Sequence, residues 1–290
     1  MGADPFTVHR SLLFTVAYEM LGSAADADDV VQETWLRWRE VDRAGVRDPR
    51  AYLVRMVTRQ SLNRIRTMAR RREDYLGEWL PEPVLTGPDV AEDVELAESV
   101  SIAMLTVLET LAPTERAVFV LREVFDVPHD EIAGAVGKSA AAVRQIARRA
   151  REHVAARRPR VRVSRDEQRM VVERFRSAVE TGDLQGLFDV LAPDVVFVAD
   201  GGGLVPAVPH PIAGASQVAA FIARFPRLAP GAVVTVVWIN GAPVLRIDAG
   251  GNLEAAISPV VESGLITRVY AIRNPHKLVR LGEAMRLSRS

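Results

Sequence analysis

The chain has 290 residues, 48% of them hydrophobic, and its 37 Lys and Arg cancel its 37 Asp and Glu to a formal net charge of zero. That length exceeds one typical domain and leaves apolar material for more than one core. Cysteine is absent, which excludes disulfides, thiolate nucleophiles and Cys-ligated zinc, and the five histidines are scattered without metal-ligand spacing, so no metal or cofactor is expected.

The opening "MGADPFT" has no periodicity and reads as an addition ahead of the fold, and no signal-peptide pattern follows it. The longest apolar candidate, "SIAMLTVL" at 101–108, is far too short to cross a bilayer. A cytoplasmic chain with no membrane partner is the expectation. The zero net charge is an average: residues 86–112 carry 6 acids and no bases, whereas residues 138–162 carry 9 bases against 1 acid. A local cluster of that kind can bind a polyanion whatever the total.

In chain order, "SLLFTVAYEMLGS" puts Leu13, Val16, Ala17 and Met20 on one helical stripe, which Gly22 ends. "ADADDVVQETWLRWRE" carries acids in its first turn, where the helix dipole favours them, and Val30, Val31, Thr34, Trp35 and Trp38 near a second stripe. Pro49 can open a third helix, "AYLVRMVTRQSLNRIRTMARRREDY". It supplies Tyr52, Leu53, Met56, Val57, Gln60, Leu62 and Ile65 as apolar or amphipathic surface. Between Ala51 and Arg72 there is no acid, while Arg55, Arg59, Asn63, Arg64, Arg66, Arg70, Arg71 and Arg72 are candidate nucleic-acid contacts. Arginines of this kind hold phosphates, and Asn63 or Gln60 could bond an unstacked base; a solvated arginine face is the competing reading. These elements make an all-α domain over 8–75.

Residues 76–98 read as a linker, with Pro81, Pro83, Gly87 and Pro88 ahead of an acidic helix start. Trp79 and Leu80 are out of place in a free linker and point to docking. A second helical domain is expected over 99–157, in which "SIAMLTVLETL" and "TERAVFVLREVF" build a small core with Ala117, Val118, Leu121 and Val124. In "DEIAGAVGKSAAAVRQIARRAREHV", Ile132, Ala133 and Val136 share a face, Gly137 suits a left-handed helix end, and Ser139 can cap the next helix. There Val143, Ile146, Ala147 and Ala150 point inward, leaving Ala141, Ala142, Arg144, Gln145, Arg148, Arg149 and Arg151 outward. Two short helices around a three-residue turn fit a DNA major groove, where Arg and Gln read base edges. A helical hairpin with solvated arginines competes.

After a second linker at 158–165 the pattern changes. Helical stripes through Met170, Val171, Phe175 and Val179 give way to a short helix ending at Pro193. Then come the strand-like runs "VVFVAD", "AVVTVVWIN", "PVLRIDA", "LEAAISPVVESG" and "LITRVYAIRNP", with the helix "SQVAAFIARF" between the first two. Residues 166–290 therefore read as α+β, helices on a curved antiparallel sheet.

"LAPTERAVFVLREVFDVPHDEIAGAVGKSAAAVRQIARRAREHV" resembles region 4 of a bacterial extracytoplasmic-function (ECF) sigma factor, the subunit that gives RNA polymerase its promoter choice. The resemblance implies that Ser139, Ala141, Ala142, Arg144, Gln145, Arg148 and Arg149 contact the upstream promoter element at about −35. Pro128 stands where such sequences often have a capping Ser. The first domain resembles sigma region 2. By that likeness Asp28, Asp29, Gln32, Glu33, Leu36 and Arg39 meet the core polymerase, and Arg55, Arg59, Gln60, Asn63, Arg64, Arg66, Arg70 and Arg71 read and open the element at about −10.

The third domain resembles SnoaL-like members of the nuclear transport factor 2 superfamily, cones with a central pocket that serve as isomerases, cyclases or binding modules. "WLPEP" at 79–83, "DGGG" at 200–203 and "NPHKL" at 274–278 together resemble the ECF41-like sigma subgroup with a fused SnoaL-like extension. Leu204 and His276 depart from that subgroup's usual Lys and Asp. The resemblance implies a regulator acting through Trp79, Leu80, Pro81, Glu82, Pro83, Asp200, Gly201, Gly202, Gly203, Asn274, Pro275, Lys277 and Leu278. The function implied is that of a non-enzymatic sigma factor whose partners are core RNA polymerase and promoter DNA, with a small-molecule ligand of the C-terminal pocket left open. The alternatives are a ligand-sensing helix-turn-helix regulator and a SnoaL-like enzyme with helical targeting domains. For that enzyme the candidate acid–base residues are Asp200, His210, Asp248, Tyr270 and Arg273.

Overall fold

The computed structural model describes residues 4–73, 75–87, 90, 93–157, 163–282 and 284–289, with the backbone alone over 69–73. The chain forms two compact units. One gathers Met1–Asp74, Asp89–Arg158 and Met285–Ser290; the other gathers Tyr75–Pro88 and Pro159–Ala284. This differs from the expected partition in two places. The WLPEP connector folds with the C-terminal unit, and the last residues of the chain fold with the helical one.

The helical unit begins with α1 (Pro5–Leu21), α2 (Ala24–Arg39) and α3 (Pro49–Glu73). Part of the opening stretch, from Asp4 onward, belongs to this unit. Asp4 caps α1 by accepting from the Phe6 N–H, Pro5 fills the first helical position, and Asp4 also accepts from the Trp38 indole at 3.2 Å. Gly22 ends α1 at φ 64°, and the Ser23 hydroxyl caps α2. Leu13, Val16, Ala17 and Met20 have no exposed surface, and Trp38 sits in the same core.

The second half of this unit runs through α4 (Val94–Val100), α5 (Ile102–Leu108) and α6 (Pro113–Phe119). A π-helical segment, Val120–Val124, follows, where sequence periodicity suggests one continuous α-helix. Then α7 (His129–Val136) and α8 (Ala140–Ala155) form the helix-turn-helix. Gly137 adopts φ 67°, the Ser139 hydroxyl accepts from the Ala142 N–H at 3.2 Å, and Pro128 heads α7 with no side-chain cap. Val143, Ile146, Ala147 and Ala150 are buried, as the spacing predicts.

Within this unit the two halves are joined by buried polar contacts. The Arg116 guanidinium, 3% exposed, takes both carboxylate oxygens of Glu109 at 2.7 and 2.9 Å and also donates to the Met20 carbonyl at the end of α1. The Ser99 hydroxyl of α4 donates to Glu19 of α1 at 2.8 Å.

The C-terminal unit packs α9 (Arg165–Thr181), α10 (Leu184–Phe188) and α11 (Ala215–Ile222), with the short α12 (Phe225–Leu228), on a six-stranded sheet. Its strands are β1 (Leu191–Asp200), β2 (Ile212–Ala213), β3 (Val233–Ile239), β4 (Ala242–Ala249), β5 (Asn252–Glu262) and β6 (Leu265–Ile272). Their order is β2-β1-β6-β5-β4-β3. Three expectations are corrected here. The sheet is mixed, because β1 runs parallel to β6. The two-residue β2 pairs with β1, and β1 begins at Leu191, so Pro193 lies inside a strand and the preceding helix ends at Phe188. Pro259 is accommodated in β5 because the ladder to β4 ends at Leu245 and Ile257, so its missing N–H breaks no rung on that side.

Among the described residues no cation pairs with the buried Glu19 carboxylate, and burial pushes its pKa up to about 8, against the opposing Ser99 hydrogen bond and Arg289 charge. A carboxyl whose folded pKa lies above its unfolded value stabilises the fold fully below the unfolded value, and that contribution is lost as pH rises through the folded one. Stability of the helical unit should therefore fall between about pH 4.5 and 8. Glu19→Gln should remove that slope and be the more stable chain at pH 8 by a few kcal/mol, on the order of 3. Denaturant titrations across that range check this, and equal slopes would refute it.

Candidate functional site

Helix α8 turns its basic side to solvent. Ala141, Arg144, Gln145, Arg148 and Arg149 are exposed, and Ala142 is half-buried in the first turn, so nothing bulky stands between the backbone there and a surface laid against it. Arg148 makes only an exposed i,i+4 pair with Glu152 at 3.3 Å, the kind of pair worth little in water. Arg151 is tied by two bonds to Glu123 and is not part of the free face.

The basic face of α3 is less open than its sequence suggests. Arg55 lies over the Tyr52 ring at 5.1 Å, and Arg66 donates to exposed Asn63 at 3.1 Å. Arg64 is held by Asp26 and Asp29, each at 2.6 Å, and these acids outweigh burial to raise its pKa. Arg59 donates to the Gly134 carbonyl at 2.7 Å and the Ala135 carbonyl at 3.4 Å, at the C-terminal end of α7, where the helix dipole favours a cation. Gln60, expected as a base contact, is instead 5% exposed and bonded to the Thr34 hydroxyl of α2 at 2.8 Å. The amide is used inside the bundle, which corrects that expectation for this conformation. The side chains of Arg70, Arg71 and Arg72 lie outside the described residues.

On α2, Asp29, Gln32, Glu33 and Leu36 are exposed at i, i+3, i+4 and i+7 spacing, with Arg39 nearby. Leu36 is 53% exposed, an unpartnered apolar residue within a polar stripe. Asp28 is partly covered and pairs with Arg10 at 3.7 Å.

In the C-terminal unit the three short motifs converge on one carboxylate. Asp200 ends β1 with no exposed surface. It accepts from the Leu80 N–H at 2.9 Å, the Lys277 ammonium at 2.6 Å, the Gly202 N–H at 3.0 Å and the Tyr75 hydroxyl. Lys277 also donates to the Leu80 carbonyl and stands 4.1 Å from the centre of the Trp79 ring. The Asn274 amide donates to the Tyr75 hydroxyl at 2.8 Å, and the Asn274 side chain caps the short α13 (Pro275–Leu278). The glycines of "DGGG" have a steric reason. A Cβ on Gly202, at φ +60°, would lie 2.3 Å from the Asn274 amide, and one on Gly201 would lie 2.4 Å from the Val205 carbonyl. Burial, together with the Asp200 carboxylate, holds the Tyr75 hydroxyl well above the usual phenol range, so it stays a donor.

The connector then continues along the sheet. Thr86 donates to the Trp238 carbonyl, Val84 to the Asn240 side chain, and Asn240 back to the Val84 carbonyl, each at 3.0 Å. Leu80, Pro81, Glu82, Pro83 and Val84 are all buried. Tyr75 was not singled out from sequence; only its place just ahead of the WLPEP run could have flagged it. Leu204 and His276, the two departures, are exposed and stand outside the Asp200 cluster.

Between α9, α11, α12 and the concave face of the sheet lies a cavity of about 870 Å³. Phe197, Phe221, Leu245 and Ile257 give it an apolar wall, and Glu254 and Arg273 are its charged lining residues. Of the acid–base candidates, Arg273 alone lines it. Asp200 is enclosed by the connector, Asp248 is bidentate with Arg246, and His210 and Tyr270 lie off the lining. No group of three or more metal-ligating side chains occurs among the described residues.

Two family models match segments of the helical unit. Residues 6–72 match the Sigma-70 region 2 family and residues 101–154 the Sigma-70 region 4 family. The chain is 37% identical to the ECF RNA polymerase sigma factor SigJ of Mycobacterium tuberculosis, over 96% of this chain and 93% of that protein. The chain belongs to the ECF RNA polymerase sigma factor family. It is also 31% identical to the probable ECF sigma factor SigI of the same species, over 93% of this chain and 92% of that one. The crystal structure of the M. tuberculosis sigma factor SigJ matches with a TM-score of 0.78 at 34% identity, covering 96% of this chain and 98% of that one. This ECF sigma factor thus carries two helical sigma domains and an α+β C-terminal unit, and no described helix is long and apolar enough to cross a membrane.

Lys277 compensates a carboxylate that has no exposed surface. Lys277→Met should cost about 3–5 kcal/mol of stability in the C-terminal unit, since it strands the Asp200 charge. Amide exchange at Leu80 and Val84 should accelerate with it. Unchanged exchange at both, by mass spectrometry or NMR, would show that the connector is held some other way.

Proposed function

We propose that this sigma factor docks on core RNA polymerase through the Asp29, Gln32, Glu33 and Leu36 stripe of α2, reads the upstream promoter element with α8, and engages the downstream element with α3. It works in the cytoplasm and performs no catalysis itself. The observation that carries the reading is the exposed Arg144, Gln145, Arg148 and Arg149 face on the second helix of a capped helix-turn-helix. The C-terminal unit regulates this activity in cis by gripping the connector between the two sigma domains through Asp200, Lys277 and Asn274. The apolar cavity supports a receptor rather than an enzyme: its lining offers transfer free energy to a hydrophobic small molecule, with the exposed Glu254 and the Arg273 guanidinium as its charged groups and no buried acid–base pair among the described lining residues.

Purified chain added to core polymerase and a library of promoter fragments should give specific initiation that core polymerase alone does not. Specific DNA binding without polymerase, with no initiation in its presence, would instead favour a regulator of the helix-turn-helix kind. Turnover of a small polyketide-like substrate would favour the enzyme reading. Arg144→Ala and Arg148→Ala should each weaken upstream recognition by ~1–3 kcal/mol, roughly 5- to 150-fold in affinity, while leaving core-polymerase binding unchanged. Holoenzyme binding to promoter fragments with altered upstream elements measures this.

A further inference from the structure

The last residues of the chain belong to the helical unit, and no sequence signal singles them out. Leu287 is 5% exposed there. The Ser288 N–H donates to the Thr15 hydroxyl of α1 at 3.0 Å, and that hydroxyl in turn donates to the Ser11 carbonyl. The Arg289 Nε donates to the Val124 carbonyl at the end of the π-helical segment at 3.1 Å. Its terminal nitrogen pairs with Glu95 and lies 3.5 Å from Asp93, both at the start of α4. One short segment therefore bonds to a region 2 helix and to two elements of the region 4 half.

The same unit holds its two DNA-reading halves together. Arg59 is spent on the end of α7, and Arg116 and Ser99 bridge to α1. Promoter elements at about −10 and −35 are some 25 base pairs apart, or roughly 85 Å at 3.4 Å per step. A compact unit of about 150 residues has a radius of gyration near 15 Å and is about 40 Å across. Docked in this way, α3 and α8 do not reach both elements, so the halves must separate for the chain to work as a sigma factor.

We infer that a groove bordered by α1, the start of α4 and the π-helical segment is a peptide-docking surface whose occupant is the chain's own Met285–Arg289, and that this occupancy holds region 2 docked on region 4. The recognition chemistry is an extended peptide with an apolar residue two places before an arginine. The groove offers a hydroxyl to the backbone between them, a carbonyl and two carboxylates to the guanidinium, and a dry seat for the leucine. Because the segment follows directly on the C-terminal unit in the chain, its occupancy covalently links that unit to the docking of the sigma halves.

The absence of cysteine allows clean labelling of the full chain at Glu40→Cys in region 2 and Lys138→Cys in region 4, both exposed. Single-molecule energy transfer then reports the distance between the halves. Arg289→Glu, facing Glu95 and Asp93, should raise the long-distance population several-fold, and the charge swap Arg289→Glu/Glu95→Arg should bring it back toward the parent. A chain ending at residue 283 should behave like Arg289→Glu, and the synthetic peptide AMRLSRS, but not a scrambled one, should close it. An unchanged distance in both Arg289→Glu and the shortened chain, with circular dichroism intact, overturns the inference. So does opening that neither the charge swap nor the peptide reverses. Should Arg289→Glu fail to fold, the shortened chain and its peptide decide alone. Initiation activity is read separately, so failure here leaves the sigma-factor reading standing.

Discussion

A carboxylate with no exposed surface must find a donor for every lone pair it keeps, and Asp200 finds them in three distant parts of the sequence. The Tyr75 hydroxyl and Leu80 N–H come from the connector, the Gly202 N–H from the turn after β1, and the Lys277 ammonium from α13. The motifs around it follow from that constraint. Glycines are needed where the turn passes under Asn274, a lysine where the charge must be matched, and an aromatic pair where the lysine enters a low-dielectric space. A stretch that looks like a free linker becomes part of a folded unit, because leaving it free would strand Asp200.

A neutral chain can bind a polyanion because its charge is partitioned, and within the basic segments it is partitioned again. Arg144, Gln145, Arg148 and Arg149 face solvent on α8, whereas Arg59, Arg64, Arg116 and Arg151 are committed to carbonyls or carboxylates. Counting arginines overstates the open nucleic-acid surface. What matters is which guanidiniums have partners that cannot easily be left. Arg116 is enclosed and would leave Glu109 uncompensated, so it is structural. Arg148 sits on an exposed pair that water and phosphate can replace at little cost.

Legibility in the sequence follows the range of the interaction. The helix-turn-helix was largely readable, since its cap, its left-handed glycine and the buried stripe of α8 are set within a few positions of one another, although in α7 Ala135 is buried and the expected Val136 only half so. The strand-like runs from β3 to β6 were readable for the same reason, whereas the start of β1 at Leu191 and the short β2 were not. The parallel pairing of β1 with β6 was not, because it depends on which edge a distant strand joins. Gln60 misled because an amide at an amphipathic position serves equally as a base reader or as a bridge to a buried threonine, and only packing against Thr34 decides. Asp4 and Arg289 were invisible as anchors. Each lies near an end of the chain and contacts residues more than thirty positions away, where no periodicity carries a signal.

The two sets of contacts differ in the free energy needed to undo them, and that ordering suits the regulation in cis proposed above. The docking of the helical halves rests on contacts such as Arg59 at a helix end and Ser99 on Glu19, each contributing on the order of 1 kcal/mol. A partner that binds the opened form at nanomolar affinity supplies ~12 kcal/mol, enough to offset several of them. The grip on Asp200 is of another kind: breaking the ion pair exposes a buried charge on each side at once. On the inference that the halves separate, recruitment to a polymerase would part regions 2 and 4 at the weaker contacts while the connector stays bound in its own unit.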